Sequence, residues 1–258
     1  MIQKIKNNKQ SLPFHSWIII FILLLGLSVS WPLMRSGYFS HQDDLHIIRL
    51  VEMSKCFADL QIPCRWVPDM GWGNGMPLFN FYGVSTYYIG GVISFITGYL
   101  IASKILFFIA LTAGSFGLYL LVNELWGKYA GLMSSVLYLF APYKALDIYV
   151  RGALTESIAL AIIPFVLYFG YKSIVTDRRN YKFFVLSLFL FLITHNIMTI
   201  IFLPVIFLWM LYLLYENDYK PSLPLRGKDL KLVILAFVMA FGLSSFFLIP
   251  AFLEKGLV

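Results

Sequence analysis

Between Ile197 and Tyr215 the chain carries no charged residue, and Trp17–Leu33 and Val84–Tyr99 are equally free of charge. A helix of ~20 mostly apolar residues crosses a bilayer, and uninterrupted runs of this kind exclude an outer-membrane barrel, whose strands alternate in shorter segments. Composition agrees: 60% of the 258 residues are hydrophobic, 13% are charged and mean hydropathy is +0.79. A soluble domain is about half apolar and a quarter charged. The fold class expected is therefore all-α, a polytopic transmembrane helical bundle of about seven spans. The segments are Trp17–Leu33, Val84–Tyr99, Ser103–Val122, Ala153–Ile174, Tyr181–Thr194, Ile197–Tyr215 and Leu230–Leu248. Tyr129–Ala141 is apolar but short, and Pro142 ends it; it reads as a re-entrant or interfacial hairpin. Ser28-Val29-Ser30 offers a small-x-small cleavage site, but the apolar run continues through Trp31–Met34, which favours an uncleaved anchor over a signal peptide.

The net charge of +7 does not indicate nucleic acid, because the basic residues sit in short loops between apolar segments, where topology places them. With the N-terminus (1–16) in the cytoplasm and the hairpin not crossing, the cytoplasmic loops hold Lys4, Lys6, Lys9, Lys104, Lys172, Arg178, Arg179, Lys182, Lys220, Arg226, Lys228 and Lys231. Against these stand four acids, Asp177, Glu216, Asp218 and Asp229. Eight cations and nine acids remain outside. That bias sets residues 35–83 outside the cytoplasm, followed by a helical bundle over 84–258.

The first outer loop holds most of the candidate chemistry. Asp43 and Asp44 follow the first helix; as carboxylates they suit a general base or a divalent-metal site. They equally suit the first turn of a helix capped by Ser40. His46 stands three residues after Asp43, on the same face of any helix, with His41 just before. Arg151 suits a phosphate or a pairing with Glu156. His195 and Asn196 interrupt an apolar run where a lone histidine commonly bonds a neighbouring helix. Gly71-Trp72-Gly73-Asn74-Gly75 is a turn followed by Phe79, Phe81 and Tyr82; it lacks the lysine of a phosphate loop, and its rings fit an interfacial aromatic belt. Cys56 and Cys64 share the loop, as a disulfide or as two buried thiols.

The order HQDDLHIIR (41–49), PCRWVPDMGWGNGMPLFNFY (63–82), RGALTESIAL (151–160) and THN (194–196) resembles the GT-C superfamily of membrane glycosyltransferases. Its closest resemblance is to the bacterial and archaeal integral membrane family labelled 6-pyruvoyl-tetrahydropterin synthase-related. The resemblance implies one GT-C-like module over 1–258 that transfers a sugar from a polyprenyl-phosphate-linked donor to an acceptor at the outer face. Asp43 or Asp44 would be base or metal ligand, a divalent ion being the one cofactor to consider, and His41, His46, Arg151, Glu156, His195 and Asn196 would bind substrate. It also implies more helices than this chain holds, so the chain is expected to be short at its C-terminus. The alternatives are a transporter or flippase, which would place ionisable residues near the membrane midplane, and a non-catalytic subunit of cell-envelope polysaccharide assembly.

Overall fold

The computed structural model describes residues 12–38, 40–219 and 228–257. Lys4, Lys6 and Lys9 of the expected cytoplasmic N-terminus, and Lys220 and Arg226, lie outside the described residues. The architecture is all-helical, with no strand among the described residues. In chain order the helices are α1 (Leu12–Val29), α2 (His46–Ala58), α3 (Leu78–Phe81), α4 (Ser85–Thr97), α5 (Tyr99–Trp126), α6 (Lys128–Leu139), α7 (Pro142–Ala145), α8 (Leu154–Tyr171), α9 (Tyr181–Leu192), α10 (Asn196–Tyr219) and α11 (Lys228–Leu253).

The long helix α5 is the centre, packed against α1, α2, α4, α6 and α8. Small residues let its neighbours approach: Gly114 leaves room for the Tyr138 ring of α6, and Gly117 for Phe165 of α8. Burial follows that position. The apolar window of α5 is 61% buried, against 22% for α10 and 28% for α11. Those two helices are apolar all round, with Ile200, Leu208, Val238 and Phe252 open. An apolar surface of this extent belongs against lipid.

Among the described residues, four helices are long and apolar enough to cross a bilayer: Tyr99–Trp126, Leu154–Thr176, Asn196–Glu216 and Leu230–Leu253. The expected count of about seven is not reached. At 1.5 Å per residue, α4 with 13 residues is about 20 Å long and α9 with 12 is about 18 Å, short of a ~30 Å hydrocarbon core. The apolar stretch of α1, Ser16–Val29, is also shorter than a full span.

Two further expectations change with the packing. Lys104 was assigned to the end of the bundle opposite the first loop. Its Nζ instead donates to the carbonyls of Arg35 (2.6 Å) and Gly37 (2.8 Å), so α4 does not carry the chain away from that loop. The segment expected as a re-entrant or interfacial hairpin that does not cross, Tyr129–Asp147, is instead a return path. α6 runs antiparallel along α5, with Gly131 beside Asn123 and Ser135 O accepting from Ser115 Oγ at 2.9 Å. The chain then continues through α7 and a wide π-type turn (Leu146–Arg151) back to the first loop. The α5–α6 turn lies at the far end, where Glu124 pairs with Lys172 at 2.9 Å.

Candidate functional site

The acidic segment is held by backbone. Gln42 N donates to Val150 O (3.1 Å) and Asp43 N to Arg151 O (2.9 Å). The two segments meet this closely because position 152 is glycine: its φ is +64°, and a Cβ there would stand 2.5 Å from that of His41. Only a residue without a side chain meets both demands at no cost. The expected helix start at His41 with a Ser40 cap is not formed. α2 begins at His46 with no side-chain cap, and Asp44 Oδ1 accepts from His41 N and from Tyr38 Oη (3.1 Å). Burial lowers the His41 pKa, against the pull of Asp44 and Asp43.

Asp43 sits over a buried arginine. Arg49 Nη1 lies 3.0 and 2.9 Å from the two carboxylate oxygens, and Tyr82 Oη donates to Oδ2 at 3.1 Å. The guanidinium carbon of Arg49 lies 4.2 Å from the Tyr82 ring centroid. The Asp43 side chain is 29% exposed and that of Arg49 only 8%, so an acid faces outward on a buried cation. Burial, the largest single influence, would raise the Asp43 pKa, but the Arg49 hydrogen bonds and charge, the nearby His46 and the Tyr82 hydrogen bond together outweigh it and hold the carboxyl below its usual value.

His46 closes the network from beneath. Its Nε2 faces Gly152 O, which only accepts, so Nε2 carries the proton and Nδ1 accepts from Tyr87 Oη at 3.0 Å. Burial pulls its pKa down to about 4. The ring is therefore neutral near pH 7, and its 3.9 Å approach to Asp43 is a polar contact rather than an ion pair.

The second network reverses the first. Arg151 forms a two-pronged pair with Glu156, at 2.8 Å (Nη2–Oε2) and 3.1 Å (Nη1–Oε1). It also reaches Asp147 Oδ1 at 3.1 Å and Tyr143 Oη at 2.9 Å. Asp147 takes a further bond from Ser157 Oγ at 2.6 Å. Here the acid side chains are buried, 0% and 5% exposed, and the Arg151 side chain is 36% exposed. The Glu156 hydrogen bonds strengthen the cation, raising an already high pKa.

THN docks the chain segment that follows the glycine-rich turn. Asn196 Nδ2 donates to Phe81 O at 2.8 Å, Val84 N to Ile193 O at 2.9 Å, and Ser85 Oγ lies 2.6 Å from Thr194 Oγ1. Gly83 lies so close that a Cβ would collide with Thr194 O at 1.7 Å. His195 accepts from Met198 N at 3.2 Å at the start of α10. It lies near enough to Glu156 and Arg151 to feel their charges, while burial lowers its pKa. Asp43, Asp44, His41, His46, Arg151, Glu156, His195 and Asn196 are thus gathered at one end of the bundle through these contacts.

The aromatic segment divides. Trp72 is fully exposed at the turn tip, as an interfacial ring would be, but Phe79 is 2% exposed and Tyr82 is part of the Asp43 network. Cys56 and Cys64 are joined as a disulfide. Among the described residues no three His, Cys, Asp or Glu side chains converge as a metal-ligand set. Asp43 is bonded to Arg49, and Asp44 to Tyr38 and the His41 amide. This donor set does not fit a resident divalent metal.

Arg49, Tyr82, Tyr87, Tyr143 and Asp147 belong to these networks and were not foreseen. Two carried a local signal. Arg49 stands three residues after His46 and Arg151 four after Asp147, both same-face helical spacings.

The profile of the 6-pyruvoyl-tetrahydropterin synthase related domain, a membrane protein family, matches residues 79–258. The chain belongs to that family. The match covers the Arg151–Glu156 network and THN, whereas Asp43, Asp44 and Arg49 precede it. An uncharacterized protein of Lactococcus lactis subsp. cremoris (strain MG1363) is 25% identical over 241 residues, 90% of this chain. The chain spans 38% of that relative's length.

Proposed function

We propose that this member of the family is the membrane module of a GT-C-type glycosyltransferase, transferring a sugar from a polyprenyl-phosphate-linked donor to an acceptor hydroxyl at the extracytoplasmic face. One observation carries the proposal: an outward-facing acid on a buried arginine stands one backbone hydrogen bond from an outward-facing arginine on buried acids. Transfer from a lipid phosphate needs both. The acceptor oxygen bonds to the sugar carbon and loses its proton to a carboxylate. The bond from that carbon to the phosphate oxygen breaks, and its electron pair leaves with the phosphate. Asp43, held ionised by Arg49, or the more exposed Asp44, takes the proton. Arg151 receives the phosphate, a match for a planar guanidinium. His41, His46, Glu156, His195 and Asn196 shape the site around them.

The outside orientation rests on charge. With Lys128 counted in place of Lys104 and Glu124 joining the acids, the loops assigned to the cytoplasm hold twelve of the twenty cations and five of the thirteen acids, with Lys4, Lys6, Lys9, Lys220 and Arg226 assigned from sequence alone. The positive-inside bias therefore survives the altered path. A disulfide in the first loop is at home in an oxidising compartment.

A second reading has its own support. Asp43 and Arg151 are each bonded to several partners, as they would be in a non-catalytic assembly subunit. Membranes containing the protein, supplied with a radiolabelled polyprenyl-phosphate sugar pool, decide between them. Transfer above that of membranes lacking the protein supports the enzyme, and no excess transfer supports the subunit. Orientation is checked separately. Single cysteines in 35–83, in a variant lacking Cys56 and Cys64, are expected to label from outside in intact cells, and one at Asp177 is not.

A further inference from the structure

Lys144 belongs to neither network. It is 6% exposed, and its Nζ, fully covered, has no hydrogen-bond partner. The ammonium lies 4.8 Å from the Tyr138 ring centroid. It feels the charges of Asp147 and Glu156 without bonding either; both are already taken by Arg151. A buried ammonium carries three donors, and leaving them unmet is costly.

The residue also lines a cavity of about 180 Å³ between α1, α5, α6 and the π-type turn. Val29, Leu111, Leu139, Phe140 and Ile148 supply apolar walls, and Lys144 is the charged residue among the lining groups. A dry cavity of ~150 Å³ holds a benzene-sized apolar guest, so this one accommodates a short length of hydrocarbon. Phe140 is 58% exposed, and Leu137 and Met133 on the same helix are 64% and 61% exposed. The groove therefore meets an apolar outer surface, where a soluble anion has no favourable approach.

We infer that this groove binds an anionic membrane phospholipid, with part of an acyl chain in the cavity and the phosphate at its mouth, where the covered Lys144 ammonium meets it by a change of side-chain rotamer. The chemistry is complementary at both ends. The apolar wall removes hydrocarbon from water, and the phosphate oxygens supply the acceptors that the ammonium lacks. Burial lowers the Lys144 pKa to about 8, which leaves it largely protonated at neutral pH, and a bound phosphate would raise it again. The inference stands independently of sugar transfer, because it concerns lipid retention alone.

The test uses the full chain in nanodiscs of phosphatidylcholine and phosphatidylglycerol at equal mole fractions. Native mass spectrometry after release reads which lipid stays bound. Phosphatidylglycerol is expected to be retained about fivefold over phosphatidylcholine, the effect of one cation near a lipid phosphate. Lys144→Met is expected to abolish that preference, Lys144→Arg to keep it, and Arg179→Gln on the far loop to leave it unchanged. Equal retention by the wild-type protein, or an undiminished preference in Lys144→Met, overturns the inference. So does displacement of phosphatidylglycerol by an isoprenyl phosphate at equal mole fraction, which would assign the groove to a different lipid. The wild-type comparison holds even where a variant fails to fold.

Discussion

The Asp43 and Arg151 networks are near mirror images. In the first, a buried arginine supports a partly exposed acid; in the second, two buried acids support a partly exposed arginine. The exposed member is the group available for chemistry, and the buried member fixes its position and protonation state. The energetic risk falls on opposite partners. Removing Arg49 strands an acid that water can still reach, whereas removing Arg151 strands two acids that water cannot reach.

That asymmetry orders the expected effects. Arg151→Met is expected to destabilise most, by about 3–5 kcal/mol, since it leaves Asp147 and Glu156 buried without their cation. Arg49→Met is expected to cost less, about 1.5–3 kcal/mol, the range for hydrogen bonds to a charged group. Thermal unfolding of purified variants in one detergent measures both. An Arg49 loss equal to or larger than the Arg151 loss would break the mirror-image description.

A smaller effect concerns pH. The folded pKa of His46 is about 4, below the 6.5 of a free imidazole. The unfolded chain therefore binds the proton first, so the stability gained from a neutral His46 is complete above pH 6.5 and declines as pH falls toward 4. His46→Gln is expected to flatten the unfolding midpoint across that window while leaving the steeper loss at lower pH, where Asp43 protonates. An unchanged slope between pH 6.5 and 4 would remove His46 from the network.

Much of this was legible in the sequence at the level of class. Apolar runs gave helices at each expected place, and the quoted motifs proved to be neighbours. Path and partners were less legible. α4 reads as a span because its residues are apolar, but its 13 residues and its packing on α2 and α5 make it a short element beside the first loop. Lys104 was misplaced for that reason. Its charge placed it in the cytoplasm, while its ammonium in fact bonds loop carbonyls. Exchanging Lys128 for Lys104 leaves the number of cations assigned to the cytoplasm from sequence at twelve. Arg49 was passed over because a lone arginine on an amphipathic helix normally faces water; only the tertiary contact with Asp43 and Tyr82 reveals its role. Tyr87 lies within the apolar segment Val84–Tyr99, and only its approach to His46 marks it as polar machinery.

The central claim is that the exposed acid of the first network serves sugar transfer. It is tested most directly by the transfer rate of Asp43→Asn, Asp44→Asn and the double variant, each at wild-type membrane levels. Asparagine keeps shape and removes charge, and loss of a general base slows a reaction by ~10²–10⁴-fold. The double variant is predicted to fall by that factor, with one single variant accounting for most of it. Transfer by the double variant at the wild-type rate would contradict the account and leave the two acids as structural anchors of the first loop.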